Sequence, residues 1–197
     1  MKLWVSTQNR DKLKEVKRIF RENAFKVELF STLDLSKNIN ILEDRKTLKY
    51  NAIKKAKVLF DQVKDWTIAD DTGLEVYSLQ MRPGVLSSRY SGGGYRENRQ
   101  KLLRELEGKK DRRARFKTVV ALISPEGKID TFEGVVEGVI VTEERGESGF
   151  GYDAIFMPSG FAKTFGEMGM VEKDLVSHRG RALRKLIEYL RGVAQLG

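Results

Sequence analysis

The sequence predicts a mixed α/β chain, folded as two lobes around a cleft. Three observations point that way. The chain opens as strand, polar loop, helix and strand, with Lys2–Ser6 and Val27–Phe30 as the strands. A long helix over Lys46–Val63 then leads into a short apolar strand at Thr67–Ala69. From Ala114 the pattern turns to β-rich segments on either side of Pro125-Glu126-Gly127, a strong turn signal.

The elements follow in order. In Lys2–Ser6, Leu3 and Val5 flank Trp4, and Thr7-Gln8-Asn9 is a polar turn. Leu13, Val16, Ile19 and Phe20 then share one helical face. Ser31–Leu42 reads as irregular. The long helix carries Ala52, Ile53, Ala56, Leu59 and Phe60 as its apolar stripe. After Ala69 come two carboxylates, Asp70 and Asp71, and Thr72-Gly73 is expected to break the strand there. Leu74–Leu79 reads as a further short strand, Arg82–Gly94 as a loop, and Tyr95–Leu106 as a basic amphipathic helix. Ala114–Ser124 and Lys128–Val141 form a long hairpin, with a bulge or bend expected at Gly134 or Gly138. Ala154–Met157 reads as a short strand, and Ser177–Gln195 as a closing helix with Ala182, Leu183, Leu186, Ile187, Leu190 and Ala194 buried. With no repeat, low-complexity run or obvious linker, residues 1–197 are expected to form a single domain.

Composition narrows the function. Of 197 residues, 40% are hydrophobic, which supports a real core, and 33% are charged. The 37 basic and 28 acidic residues give +9, a surface that attracts polyanions. Nucleic acid, an anionic membrane and phosphorylated small molecules are candidates; a solvated, salt-bridged surface is the plain alternative. The absence of cysteine excludes disulfides and thiolate metal sites. There is no eighteen-residue apolar run and no signal-peptide pattern at the start, so the cytoplasm is the expected compartment.

Four stretches could carry chemistry. Asp70 and Asp71 follow a buried strand, at the place where open α/β sheets hold their reactive groups. Neighbouring strand residues point to opposite faces, so one acid can hold a metal or a water while the other is tied to backbone. The loop Thr7-Gln8-Asn9-Arg10-Asp11-Lys12 precedes a helix whose free N–H groups, with Lys12, suit a phosphate. The plainer role of Thr7 or Asn9 is an N-cap. Glu43 is a carboxylate from a separate segment, as a Mg²⁺ site with few protein ligands would use. In Gly149-Phe150-Gly151-Tyr152-Asp153, Phe150 or Tyr152 could stack on a base and Asp153 could accept from a ring N–H. The only histidine, His178, lies between Ser177 and Arg179, too little for a zinc site.

Taken in order, Thr7-x-Asn9-x-x-Lys12, Ala69-Asp70-Asp71-Thr72-Gly73-Leu74, Pro83-Gly84 with Ser88-Arg89-Tyr90, Gly149-Phe150-Gly151-Tyr152-Asp153 and Ser177-His178-Arg179-x-x-Ala182-Leu183 resemble the inosine triphosphate pyrophosphatase family, the Ham1-like enzymes. The resemblance spans nearly the whole chain. It implies an elongated two-lobed mixed-sheet fold with a central cleft, usually a homodimer. It also implies Mg²⁺-dependent hydrolysis of ITP, dITP and XTP to the monophosphate and pyrophosphate, which cleans the nucleotide pool. By resemblance, Asp71 is the proton acceptor and a metal ligand, and Glu43 the second acidic ligand. Thr7, Asn9, Lys12, Thr72 and Lys173 would bind the phosphates and sugar. Phe150, Gly151, Tyr152 and Asp153, with His178 and Arg179, would hold the base. A purine nucleoside triphosphate is then the expected partner, with no nucleic acid and no membrane.

Departures exist. Tyr50 stands in Leu48-Lys49-Tyr50-Asn51-Ala52 where the family often has Glu, Ala154 where it often has Pro, and Ser88 where Ala is common. A basic nucleic-acid-binding protein is one alternative: it accounts for the charge but not for acids after a strand. A Maf-like nucleotide pyrophosphatase is another, and lacks the Ser-His-Arg ending.

Overall fold

A computed structural model of the chain describes residues 1–35, 41 and 44–196. The elements run β1 (Lys2–Val5), α1 (Arg10–Glu22), β2 (Glu28–Ser31), α2 (Leu48–Val63), β3 (Thr67–Val76), β4 (Arg82–Gly84), α3 (Tyr95–Glu105), β5 (Arg113–Ile123), β6 (Ile129–Ile140), β7 (Phe156–Pro158), α4 (Met170–Val176) and α5 (His178–Leu196). Hydrogen bonding orders the strands β2-β1-β3-β5-β6-β7, with β4 added to β3. The α/β reading therefore holds.

The chain divides into two compact units, and the boundaries fall inside β3, β5 and β6 and after the first residue of α5. The first unit holds residues 1–71, 118–134 and 179–197. Its sheet is parallel where β1 pairs with β2 on one side and β3 on the other. Leu3, Val5 and Ile68 form one core with Val16, Ile19 and Phe20 of α1 and Leu183, Leu186 and Leu190 of α5. Leu3 and Val5 lie two residues apart and Val5 is in register with Ile68, so all three point to the one face that α1 and α5 cover. The end of β1 meets α2 by the opposite parity, through Ser6, whose hydroxyl donates to the Lys55 carbonyl at 3.0 Å.

The second unit holds residues 72–117 and 135–178. Its core gathers Leu74 and Val76 of β3, Leu102 of α3, Phe116 of β5, Val136 and Ile140 of β6, and Phe156 and Phe165. In the first unit, the β5–β6 turn closes with Gly127 N–H donating to the Ser124 carbonyl at 2.8 Å.

Three expectations need correction. Thr72-Gly73 does not end the strand: β3 runs on to Val76, because Leu74–Val76 finds a new antiparallel partner in β4. Leu74–Leu79 is therefore not a separate strand. Part of the expected Arg82–Gly94 loop is β4 itself. The short strand near Ala154 begins only at Phe156, after a turn of 3₁₀ helix over Asp153–Ile155.

Gly138 has a role other than a bend. It pairs with Pro158 in the β6–β7 ladder. A Cβ there would stand 2.3 Å from the Met157 carbonyl oxygen and 2.7 Å from the Phe156 ring. Glycine lets β7 approach β6. Gly138→Ala is expected to destabilise the protein by about 1–3 kcal/mol, a typical overpacking cost. Thermal melting checks this, and an unchanged midpoint would show that β7 can retreat freely.

Candidate functional site

Two groups of buried polar and charged side chains stand out, one in each unit. The first is built at the end of β1. Beyond Val5 the parallel pairing of β1 with β3 stops, since Val5 lies opposite Ile68. β1 connects outward to β2 on one side and lies beside β3 on the other. This is a topological switch point, the position where open α/β sheets bind ligands. The loop after β1 and the residues of β3 just past Ile68 meet this position. The reading of Asp70 and Asp71 as strand-end acids thus holds in a changed form: the neighbouring strand ends, while β3 continues.

The loop caps α1. Asn9 Oδ1 accepts from the backbone N–H groups of Asp11 at 2.9 Å and Lys12 at 3.2 Å. Thr7 Oγ1 accepts from Asn9 N–H at 3.1 Å. Both side chains thereby shape a helix N-terminus, whose positive dipole end suits an anion.

Asp70 and Asp71 leave β3 on opposite faces. Asp70 turns to the face covered by α1 and α5. It meets Lys12 Nζ at 3.2 Å and Arg179 Nε at 3.2 Å. Arg179 Nη1 donates in turn to Glu15 of α1. Asp71 turns to α2, where Lys55 Nζ donates to Oδ1 at 3.1 Å and Asn51 Nδ2 to Oδ2 at 3.0 Å. Each of the two carboxylates is clamped by side chains from neighbouring helices. Asp70, Asp71, Glu15, Asn51, Lys55 and Arg179 are all buried. Burial alone would raise the Asp70 carboxyl, but Lys12, Arg179 and Lys55 hold it well below the usual carboxylate range. Burial pushes the Lys12 ammonium down, against the pull of Asp70.

The second group surrounds Gly149–Asp153. Asp153 Oδ2 accepts from Phe150 N–H at 2.8 Å and from Lys173 Nζ at 2.7 Å. The Lys173 ammonium also lies 5.0 Å from the centre of the Phe150 ring. Gly149 has φ +77°, and a Cβ there would stand 2.0 Å from Asp153 Oδ2, so a side chain would push the carboxylate away. Tyr152 is buried in the core and donates its hydroxyl to the Ser87 carbonyl at 2.8 Å. Of the two aromatics expected to stack on a base, the half-buried Phe150 is the one outside the core. His178 is buried, its ring stacked on Phe116 at 4.4 Å and 11°.

The sequence-predicted residues thus fall as follows. Thr7, Asn9, Lys12, Asp71 and Arg179 belong to the first unit, and Arg179 faces Asp70 and Glu15 there. Phe150, Gly151, Tyr152, Asp153, Lys173 and His178 belong to the second. Thr72 continues β3, half-buried. Glu43 lies outside the described residues. The sequence reading missed Glu15, Asn51 and Lys55. A signal for the last two existed: the buried stripe of α2 is Leu48, Asn51, Ala52, Lys55, Ala56 and Leu59, so two polar residues sit at core positions. Tyr50, at the position where an acid is common, is exposed. Among the described residues, no three His, Cys, Asp or Glu side chains gather as a metal cluster.

The fold has known counterparts. The family model that describes the Ham1 family matches residues 3–189. A protein of Christiangramia forsetii named dITP/XTP pyrophosphatase is 44% identical over 96% of this chain and 99% of its own. One of the same name from Caldanaerobacter subterraneus is 44% identical over 96% of each. The structure of a HAM1 protein from Coxiella burnetii superposes with a TM-score of 0.87 at 35% identity, covering 98% of this chain and 99% of that one. A Staphylococcus aureus Ham1 structure gives 0.86 at 32% identity, with the same coverage. The chain belongs to the Ham1 family.

The ion pairs of Asp70 set an acid dependence. Its folded carboxyl is depressed, so its stabilisation is complete above the ordinary value of 3.8 and declines as pH falls below it. One proton's linkage corresponds to a slope of about 1.4 kcal/mol per pH unit. Asp70→Asn is expected to remove about that much slope between about pH 4 and pH 2, read from denaturant midpoints at constant salt. An unchanged slope would show that the pairing does not favour the ionised form.

Proposed function

We propose that this protein is a Mg²⁺-dependent nucleoside triphosphate pyrophosphatase that converts ITP, dITP and XTP to the monophosphate and pyrophosphate. One observation carries the reading: at the switch point of the sheet, β3 presents Asp71 on a rigid strand with both carboxylate oxygens held by Lys55 and Asn51. Family membership and the names of the relatives support the substrate class.

Asp71 is the proposed general base. It orients a water against the α-phosphorus and takes its proton as the new P–O bond forms and the bond to pyrophosphate breaks. Positioning and charge neutralisation carry most of such a reaction, since little covalent chemistry is asked of the protein. Lys12, with the capped N-terminus of α1, suits the phosphates, and Thr72 is adjacent to Asp71 on the strand. Mg²⁺ needs only one or two protein carboxylates, with waters and phosphates filling its other positions. The Asp71 carboxylate fits that need without a dedicated cage, and the resemblance alone assigns Glu43 as the second acid. When bound, the ion supplies charge neutralisation on the triphosphate.

The base is assigned to the Gly149–Asp153 loop, with Phe150 as the stacking ring and Lys173 and His178 nearby. Arg179, placed against the base by the resemblance, has Nε and Nη1 directed at Asp70 and Glu15. Its proposed part is to hold Asp70. The reading includes a cytoplasmic homodimer, on family grounds alone. A nucleic-acid-binding role accounts for the +9 charge but leaves the buried acids unexplained.

Purified protein is incubated with ITP, XTP, GTP and ATP in Mg²⁺, and the products are separated. Pyrophosphate and monophosphate are expected, with ITP and XTP preferred; orthophosphate with a diphosphate would sink the α-phosphorus assignment. Asp71→Asn, an isosteric change, is expected to lower kcat by about 10²–10⁴-fold, the usual range for a general base. Its melting curve is recorded beside the rate. Near-wild-type turnover would reduce Asp71 to a structural residue.

A further inference from the structure

Helix α3 has no part in the function proposed above, yet it makes two directed contacts with the Gly149–Asp153 loop. Arg99 Nη1 donates to the Gly151 carbonyl at 2.9 Å. Its Nη2 donates to Glu144 Oε2, also at 2.9 Å, in an ion pair whose arginine side chain is 17% exposed. Tyr95 stands one helical turn earlier, on the same face of α3. Its ring centre is 6.0 Å from that of Phe150, inclined by 36°.

The loop needs such support. It carries few side chains that could pack, since two of its five residues are glycine. Gly149 adopts a left-handed backbone, and Tyr152 is turned into the core. Asp153 fixes the start of the loop through Phe150 N–H. The Gly151 carbonyl points elsewhere and is fixed by Arg99. A planar guanidinium is well shaped for this, because its fork reaches a carbonyl and a carboxylate at once, which the ammonium of lysine does less well. Glu144 in turn fixes the direction of the fork.

We propose that Arg99, with Tyr95, is a positioning residue that holds the Gly149–Asp153 loop in the shape that receives a purine base. This rests on the assignment of the base to that loop. Arg99 does not touch the reacting phosphates. It raises affinity for the base by ordering the loop before the nucleotide arrives, which lowers the entropy lost on binding.

Two measurements test it, each on wild type, Arg99→Ala, Arg99→Lys and Tyr95→Ala. The first is steady-state hydrolysis of ITP together with inhibition by inorganic tripolyphosphate, a probe without a base. The expected result for Arg99→Ala is a KM for ITP raised about ten- to hundredfold, the scale of one charged hydrogen bond, with little change in kcat. The inhibition constant of tripolyphosphate should stay within about twofold, and Arg99→Lys should recover part of the loss. The second is hydrogen exchange of the segment 144–153, which needs no substrate. Faster exchange there in Arg99→Ala, with α5 unchanged, is expected.

Unchanged exchange of the segment overturns the proposal. So does an equal rise of the ITP KM and the tripolyphosphate constant, which would mean general loosening. If exchange accelerates as expected but ITP affinity is unaffected in an active enzyme, the ordering of the loop has no role in base binding, and the proposal also fails. Wild-type protein with no activity on any purine triphosphate would instead defeat the function proposed above. The exchange result would still decide whether Arg99 orders the loop.

Discussion

The pairing of Asp70 with Lys12 and Arg179 is the constraint on which the first unit depends. A buried charge left without its partner costs about 3–5 kcal/mol, a large part of a domain's net stability. Arg179 is 1% exposed and directs two nitrogens at carboxylates 109 and 164 residues away in sequence. Lys12 and Glu15 lie one turn apart on α1, so one helix supplies a cation for Asp70 and an anion for Arg179. The arrangement is tolerable only when α1, β3 and α5 are in their final places together. Apolar residues of similar volume would serve stability as well. The ionic version therefore points to chemistry at the switch point, where Lys12 stands between a carboxylate and the N-terminus of α1.

Much of the fold was legible because its signals are local. The helical faces of α1 and of α5 up to Leu190 and the turn at Pro125–Gly127 follow from periodicity and turn chemistry, whereas Ala194, expected to be buried, is exposed near the helix end. The run through Asp70-Asp71-Thr72-Gly73 was not legible. Locally these four residues suit a turn, but strand conformation depends on the partners across the sheet, and β4 supplies one for Leu74–Val76. The identity of that partner is written a few residues later, at Arg82–Gly84, in a stretch that reads as loop.

The candidate site shows the same division. Thr7, Asn9, Lys12 and Asp71 sit at places that sequence logic could name, because helix caps and strand ends have recognisable residues. The partners of Asp71 were masked by the choice of stripe on α2. Reading the apolar face through Ile53 and Phe60 leaves Asn51 and Lys55 outside it, whereas the buried face runs through both. Arg179 was the hardest to place. On a basic chain, an arginine in the first turn of the last helix looks free to meet a ligand, and only Glu15, near the other end of the chain, and Asp70 show that two of its nitrogens face inward.

Charge balance connects these pairings to the proposed chemistry. Among the described ion pairs of the first group, Lys12, Lys55 and Arg179 face Glu15, Asp70 and Asp71, three cations against three anions. In the second group Lys173 faces Asp153, one against one. The excess of +9 is therefore carried by other parts of the chain, where it can draw a nucleotide in over a distance set by salt. It does not by itself neutralise a triphosphate at Asp71. A group of matched charges accepts several further negative charges only if positive charge arrives with them or if Lys12 and Lys55 exchange carboxylates for phosphates. A divalent cation carried by the nucleotide meets the first condition, and the proximity of both lysines to the acids meets the second. On the proposed function, these matched charges would favour a metal–nucleotide complex over the free triphosphate as the species that binds.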